Sequence, residues 1–125
     1  MSYLFQTLSE RFPADLDRPF AWLDDGTLIR YADMIAGSAR YAQVLAACGV
    51  APGDRVMVQT PKSIDMLMLY LATLRAGAVF TPLNPAYTAG ELAYFIGDAE
   101  PALIVCDPAR RDAVAALAGD IRIET

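Results

Sequence analysis

Histidine is absent from the 125 residues. That removes every Ser-His and Cys-His nucleophile system. The two cysteines, Cys48 and Cys106, lie far apart with no CxxC spacing, so a zinc site is not expected. Apolar neighbours flank both, as suits reduced thiols in a cytoplasmic protein. Basic charge is scarce: 10 Lys and Arg face 15 Asp and Glu, for a net charge of −5. No basic run exceeds the pair Arg110-Arg111, which excludes nucleic acid and anionic membrane as expected partners. The longest apolar helical run lies between Asp65 and Arg75 and is too short for a membrane span. Met1-Ser2-Tyr3-Leu4-Phe5 lacks the basic region and cleavage site of a signal peptide. Neither common phosphate cradle, GxGxxG after a strand or GxxxxGK[ST], occurs.

What is present is material for a core. Hydrophobic residues make up 55% and charged residues 20%, in a chain the size of one ordinary domain. The centre is Arg55 to Pro85. A β-rich run, Arg55–Thr60, is bounded by Pro52-Gly53-Asp54 and Pro61. A helix follows from Ser63 to Ala76, apolar nearly all round and therefore packed on more than one side. Ser63 caps it, Asp65 suits its positive end, and Arg75 with Gly77 suits the other. A short strand, Ala78–Thr81, breaks at Pro82. Strand, helix and strand within about thirty residues read as one right-handed βαβ unit with parallel strands.

Ahead of it, Tyr3–Phe12 is predicted as an amphipathic helix with Leu4, Phe5, Leu8 and Phe12 on one side. Asp24-Asp25-Gly26 joins Phe20–Leu23 to Thr27–Arg30 as a hairpin. A long helix, Tyr31–Cys48, carries Met34, Ile35, Ser38, Tyr41, Ala42 and Leu45 inward and ends at Gly49. Beyond the centre, Thr88-Ala-Gly-Glu91 is a capping box whose helix is expected to stop at Gly97. Ala102–Cys106 is a continuous apolar run of the kind found in strands buried on both faces. Asp107 and Pro108 open a helix through Val114 and Leu117 to Gly119, and Ile121–Thr125 begins another strand. The expected fold class is α/β: N-terminal helices and a hairpin, then a doubly wound, mainly parallel β-α-β-α-β-α-β unit. Residues 1–125 read as a single incomplete domain. The last strand has no following helix, so an apolar flank and a sheet edge are expected to lie uncovered.

The site inventory is nearly empty. Asp54 and Arg55 read as a turn residue and a solvated strand end, ahead of a substrate clamp. Lys62 lies at a strand's carboxyl end, where α/β proteins bind ligands, although an exposed lysine before a helix is ordinary. Asn84 between two prolines is a turn former first and a ligand contact second. Met66 and Met68 read as core filling, and Tyr70 and Tyr94 as core-edge aromatics with a wet hydroxyl. No residue is assigned as catalytic, cofactor-binding or metal-ligating.

Three motifs in order carry a resemblance. Thr73-Leu-Arg-Ala-Gly-Ala-Val-Phe-Thr-Pro-Leu-Asn84 resembles the LKAGxAYxPLN signature of adenylate-forming enzymes. Leu28-Ile-Arg-Tyr-Ala-Asp-Met34 is loosely similar to their LTYxEL signature, and Gly49-Val-Ala-Pro-Gly-Asp-Arg-Val56 to their GVxPGDRV turn. The run from Lys62-Ser63 through Tyr87-Thr88, Glu91-Leu92 and Tyr94 to Glu100 is most similar to malonyl-CoA synthetases among the CoA ligases. Arg30 departs from the family, replacing the Ser/Thr expected to cap the long helix; losing that cap costs roughly 1 kcal/mol.

The resemblance implies an ATP-dependent acyl-CoA synthetase. Carboxylate and ATP, with Mg2+, give an acyl-adenylate and pyrophosphate, and the CoA thiol then displaces AMP. In that family the phosphate loop, the magnesium and ribose ligands and the catalytic lysine lie beyond the stretch that resembles this chain. The implied role is therefore a scaffold whose partner is the remainder of a synthetase chain, with Gly77 and Pro82 as shape residues. A small carboxylic acid and CoA would be bound by the complete enzyme. The isolated chain is expected neither to bind ATP appreciably nor to activate a carboxylate, and to aggregate in part. Two other readings stay open: a free-standing, non-catalytic α/β module pairing through Ile121–Thr125, and the start of a peptide-synthetase adenylation domain.

Overall fold

The computed structural model describes residues 3–125; Met1-Ser2, part of the argument against a signal peptide, lie outside the described residues. The order is α1 (Tyr3–Glu10), β1 (Pro19–Trp22), β2 (Leu28–Arg30), α2 (Tyr31–Ala47), β3 (Arg55–Gln59), α3 (Ile64–Arg75), β4 (Val79–Pro82), α4 (Ala89–Ala99), β5 (Leu103–Cys106), α5 (Arg111–Ala118) and β6 (Arg122–Glu124). β1 and β2 pair antiparallel as a separate ribbon, and the other four strands form a parallel sheet in the order β4-β3-β5-β6.

This order has a mechanical consequence. The chain steps from β3 to β4 in one direction, then crosses back over β3 to reach β5 and β6. Right-handed crossovers made in opposite directions put their helices on opposite faces. Hence α3, with α2 beside it, covers one face, while α4 and α5 cover the other. Side chains follow the pleat: Val56, Val58 and Leu103 pack with Leu45, Leu69 and Ala72. Their neighbours Met57, Ile104 and Cys106 pack with Leu92, Ile96 and Val114 on the opposite face. A third cluster, with Phe5, Met34, Met68 and Leu71, joins α1 and the ribbon to the outer side of α2 and α3. The doubly wound α/β expectation is therefore observed.

Helix ends explain the strand spacing. Val50 donates to the Leu45 carbonyl and Gly49, at φ 84, to that of Ala46; Ala78 and Gly77, at φ 71, repeat both bonds to Thr73 and Leu74. Each helix thus closes in the same glycine-dependent motif, which turns the chain straight into the next strand. Ser63 Oγ accepts from the Met66 amide at 3.1 Å, and Thr88 with Glu91 forms the expected capping box.

Several expectations are corrected. α4 runs through Gly97 to Ala99, and Glu100, in the left-handed region at φ 46, ends it. The stop is Pro101, which disfavours helical geometry in the residue before it; one interior glycine weakens a helix without breaking it. β4 begins at Val79 and takes in Pro82 as its last residue, where the sequence predicts a break after Thr81. β4 is an edge strand, where a missing N–H is tolerated. Asp107 and Pro108 open a 3-10 turn, Pro108–Arg110, that leads into α5. α1 ends at Glu10, Phe12 packs on Tyr31 in the following turn, and Leu4 is exposed. Tyr94 is 68% exposed, so it is a surface aromatic stacked edge-on against Phe95 and not part of the core. Arg30 offers no acceptor to the α2 amides, yet its own amide donates to Asp33 Oδ2 at 2.8 Å. Half of the reciprocal cap survives the substitution.

Candidate functional site

In an open parallel sheet the strands on either side of a reversal in connection direction part at their carboxyl ends, leaving a crevice where such proteins bind ligands. Here the reversal falls between β3 and β5. Above it lies a cavity of about 310 Å³ lined by Tyr41, Thr60, Asp65, Leu69, Val105 and Asp107, among others. Residues leaving β3 (Thr60, Pro61) and β5 (Asp107, Pro108) form its floor, and the first turn of α3 forms a wall. The Tyr41 hydroxyl donates to Asp65 Oδ1 at 3.0 Å, tying α2 to the start of α3 at this wall. Burial first, and then the Asp65 hydrogen bond, pushes the Tyr41 phenol above its ordinary value. Cys106 is 1% exposed, and burial raises its thiol despite the opposing pull of Arg111 and Arg110.

Beside the cavity, a second depression of about 480 Å³ runs from Thr60 and Lys62 to Asn84 and Pro85. Its far wall is the turn after β4, which is held from several sides. Asn84 Oδ1 accepts from the Ala86 amide at 2.9 Å, and Tyr87 stacks on Phe95 with centroids 5.1 Å apart. Arg110 Nη1 donates to the Pro85 carbonyl at 3.2 Å. From beneath, Gln59 Nε2 donates to the Asn84 carbonyl at 3.1 Å.

The residues singled out in the sequence divide cleanly. Asp54 Oδ2 accepts from the Ala51 amide at 2.8 Å, a turn role at the amino edge, remote from the crevice. Arg55, also at that edge, donates to the Ala99 carbonyl at 2.9 Å, where a cation offsets the negative end of α4. Lys62 and Asn84 both line the second depression. Met68 is buried, whereas Met66 is half-buried and lines the crevice. Tyr70 rests edge-on against Phe80 at 5.1 Å and joins Lys62, Leu67 and Pro82 along an apolar groove. Sequence reasoning missed Gln59 and Thr60. Both carry a buried side-chain oxygen without a hydrogen-bond partner among the described residues. The available signal was a polar residue ending an otherwise apolar central strand.

The crevice presents two carboxylates, Asp65 and Asp107, and no Lys or Arg among its lining residues. Among the described residues no three His, Cys, Asp or Glu side chains converge as a metal site. No cationic side chain lines the crevice to neutralise a triphosphate, and its one positive feature is the amino end of α3. Among the described residues no helix is long and apolar enough to cross a membrane.

Comparison with known proteins places this geometry. The family of AMP-binding enzymes matches residues 8–124. The ATP-bound MatB of Rhodopseudomonas palustris superposes with a TM-score of 0.92 at 48% identity, over 98% of this chain and 24% of its own. The antimetabolite synthetase AmbB of Pseudomonas aeruginosa is 37% identical over 117 residues, covering 94% of this chain and 9% of its own length. The 4-coumarate–CoA ligase 5 of rice is 34% identical over 120 residues, covering 94% of this chain and 21% of its own. The chain thus spans a quarter or less of each of these relatives.

Proposed function

The chain belongs to the AMP-binding enzyme family, and on that premise we propose that it is the N-terminal scaffold segment of an ATP-dependent acyl-CoA synthetase acting on malonate. The observation that carries this reading is the likeness to MatB, at 48% identity across 98% of the chain. The match spans α3, β4 and α4, the stretch whose motifs resemble malonyl-CoA synthetases.

On this reading residues 1–125 are one incomplete domain that sets the sheet, the switch-point crevice and the pinned turn after β4. The same reading places the protein in the cytoplasm, where ATP and CoA are at hand. ATP, Mg2+, CoA and the small carboxylic acid are bound by the complete enzyme, and the remainder of the synthetase chain is this segment's partner. ATP supplies the activation of the carboxylate when bound. This segment's own contribution is mechanical: it holds the carboxyl edge rigid and keeps the core beneath it dry.

A second reading has an observation in its favour. Peptide synthetases recur among the curated relatives, including the nonribosomal peptide synthetase CymA of Salinispora arenicola at 35% and the dimodular nonribosomal peptide synthase of Bacillus subtilis at 36% identity. An adenylation domain would deliver its acyl group to a carrier-protein thiol instead of CoA. One assay separates the two. The complete polypeptide is incubated with ATP, malonate and either CoA or a phosphopantetheinyl carrier protein, and the products are resolved by mass. Malonyl-CoA with no carrier loading supports the synthetase; carrier loading with no CoA thioester overturns it.

A further inference from the structure

Gln59 is 2% exposed and ends the central strand β3 among Met57, Leu83, Ile104 and Cys106 on the α4–α5 side of the sheet. A glutamine in such a setting is expected to satisfy its whole amide or to be replaced by an apolar residue. Gln59 does neither. Its Nε2 donates to the Asn84 carbonyl, while its Oε1 has no partner among the described residues. The orientation is determined by the neighbour: the other amide rotamer would turn an oxygen toward a carbonyl oxygen. A buried acceptor left unpaired weakens the fold. The single bond Gln59 makes must therefore be what the position is for.

That bond reaches the one carbonyl on which the following turn is built. The Asn84 carbonyl also accepts from the Tyr87 amide at 3.1 Å, and the Asn84 side chain holds the Ala86 amide. We infer that Gln59 is a positioning residue: it anchors the Asn84–Tyr87 turn to the central strand at the ligand-binding edge, and it does so at the expense of core stability. What the turn serves rests on the synthetase reading; the anchoring itself is tested without any substrate.

The test is Gln59→Met, which keeps length and burial, followed by peptide-resolved hydrogen exchange and thermal unfolding of the complete polypeptide. The Ala86 and Tyr87 amides are expected to exchange about tenfold faster or more, while β3 and β5 amides keep their protection and the melting midpoint holds or rises. A lower midpoint with core and turn amides loosened together would make Gln59 an ordinary core residue and overturn the inference. So would an unfolded variant, unchanged turn amides, or a parent chain whose turn amides are unprotected from the start. If the turn loosens selectively but the complete polypeptide forms no acyl-CoA, the anchor stands and the synthetase reading fails.

Discussion

The Met68 thioether on α3 occupies the space that a side chain at position 37 of α2 would need: a Cβ built on Gly37 would meet its Sδ and lie 3.0 Å from its Cε. Both residues are buried where the two helices cross. Replacing Gly37 by alanine gains about 1 kcal/mol of helix propensity. Displacing Met68 from a packed site costs about 1–3 kcal/mol. The second effect is the larger, so Gly37→Ala should lower stability by roughly 1 kcal/mol in denaturant titration. In a double-mutant cycle, Met68→Ala should remove that penalty, because the two changes share one volume.

The capping box of α4 gives a pH signature. The Thr88 amide and then its hydroxyl donate to Glu91, holding its carboxyl below the ordinary value of 4.5. A carboxylate whose folded value is depressed contributes stability above its unfolded value and loses it as pH falls through the folded one. Glu91→Gln should therefore melt below the parent at neutral pH, and the gap should close as pH falls from about 5 to about 3. A gap that stays constant across that range would show that the interaction is not ionic.

Thiol reactivity should separate the cysteines. Cys106 is buried on β5 with its thiol raised, whereas Cys48 is half-buried at the end of α2, 4.0 Å from Glu124 Oε1. Since the thiolate is the reacting form, Cys48 should be modified first by a disulfide reagent under native conditions, and Cys106 only on unfolding. Peptide mass mapping after a timed pulse reads the order. Labelling of both at equal rates would mean that β5 opens readily.

Local chemistry made much of this fold legible. The Ser63 and Thr88 caps, the glycines at 49 and 77 and the apolar run of β5 each act within a few residues, and each was placed from sequence. What was not legible depends on contacts across the chain. The end of α4 is the exception, because its cause is local: Pro101, four residues beyond Gly97, outweighs one interior glycine. Gly37 reads as a gap in a helical stripe until Met68 is packed against it. Strand order is likewise a tertiary fact: the order β4-β3-β5-β6 creates the crevice, yet consecutive strands alone also suit a simple progression. Gln59 escaped notice because a polar residue at a strand end reads as solvated, whereas here the turn after β4 folds over it.

The proposed division of labour has these residues build the edge and the rest of the polypeptide supply the reacting groups. ATP–pyrophosphate exchange, run on the 125-residue chain beside the complete polypeptide with malonate and Mg2+, tests it most directly. Exchange by the complete polypeptide and background alone from the 125 residues is the predicted outcome; malonate-dependent exchange by the 125 residues on their own would contradict it.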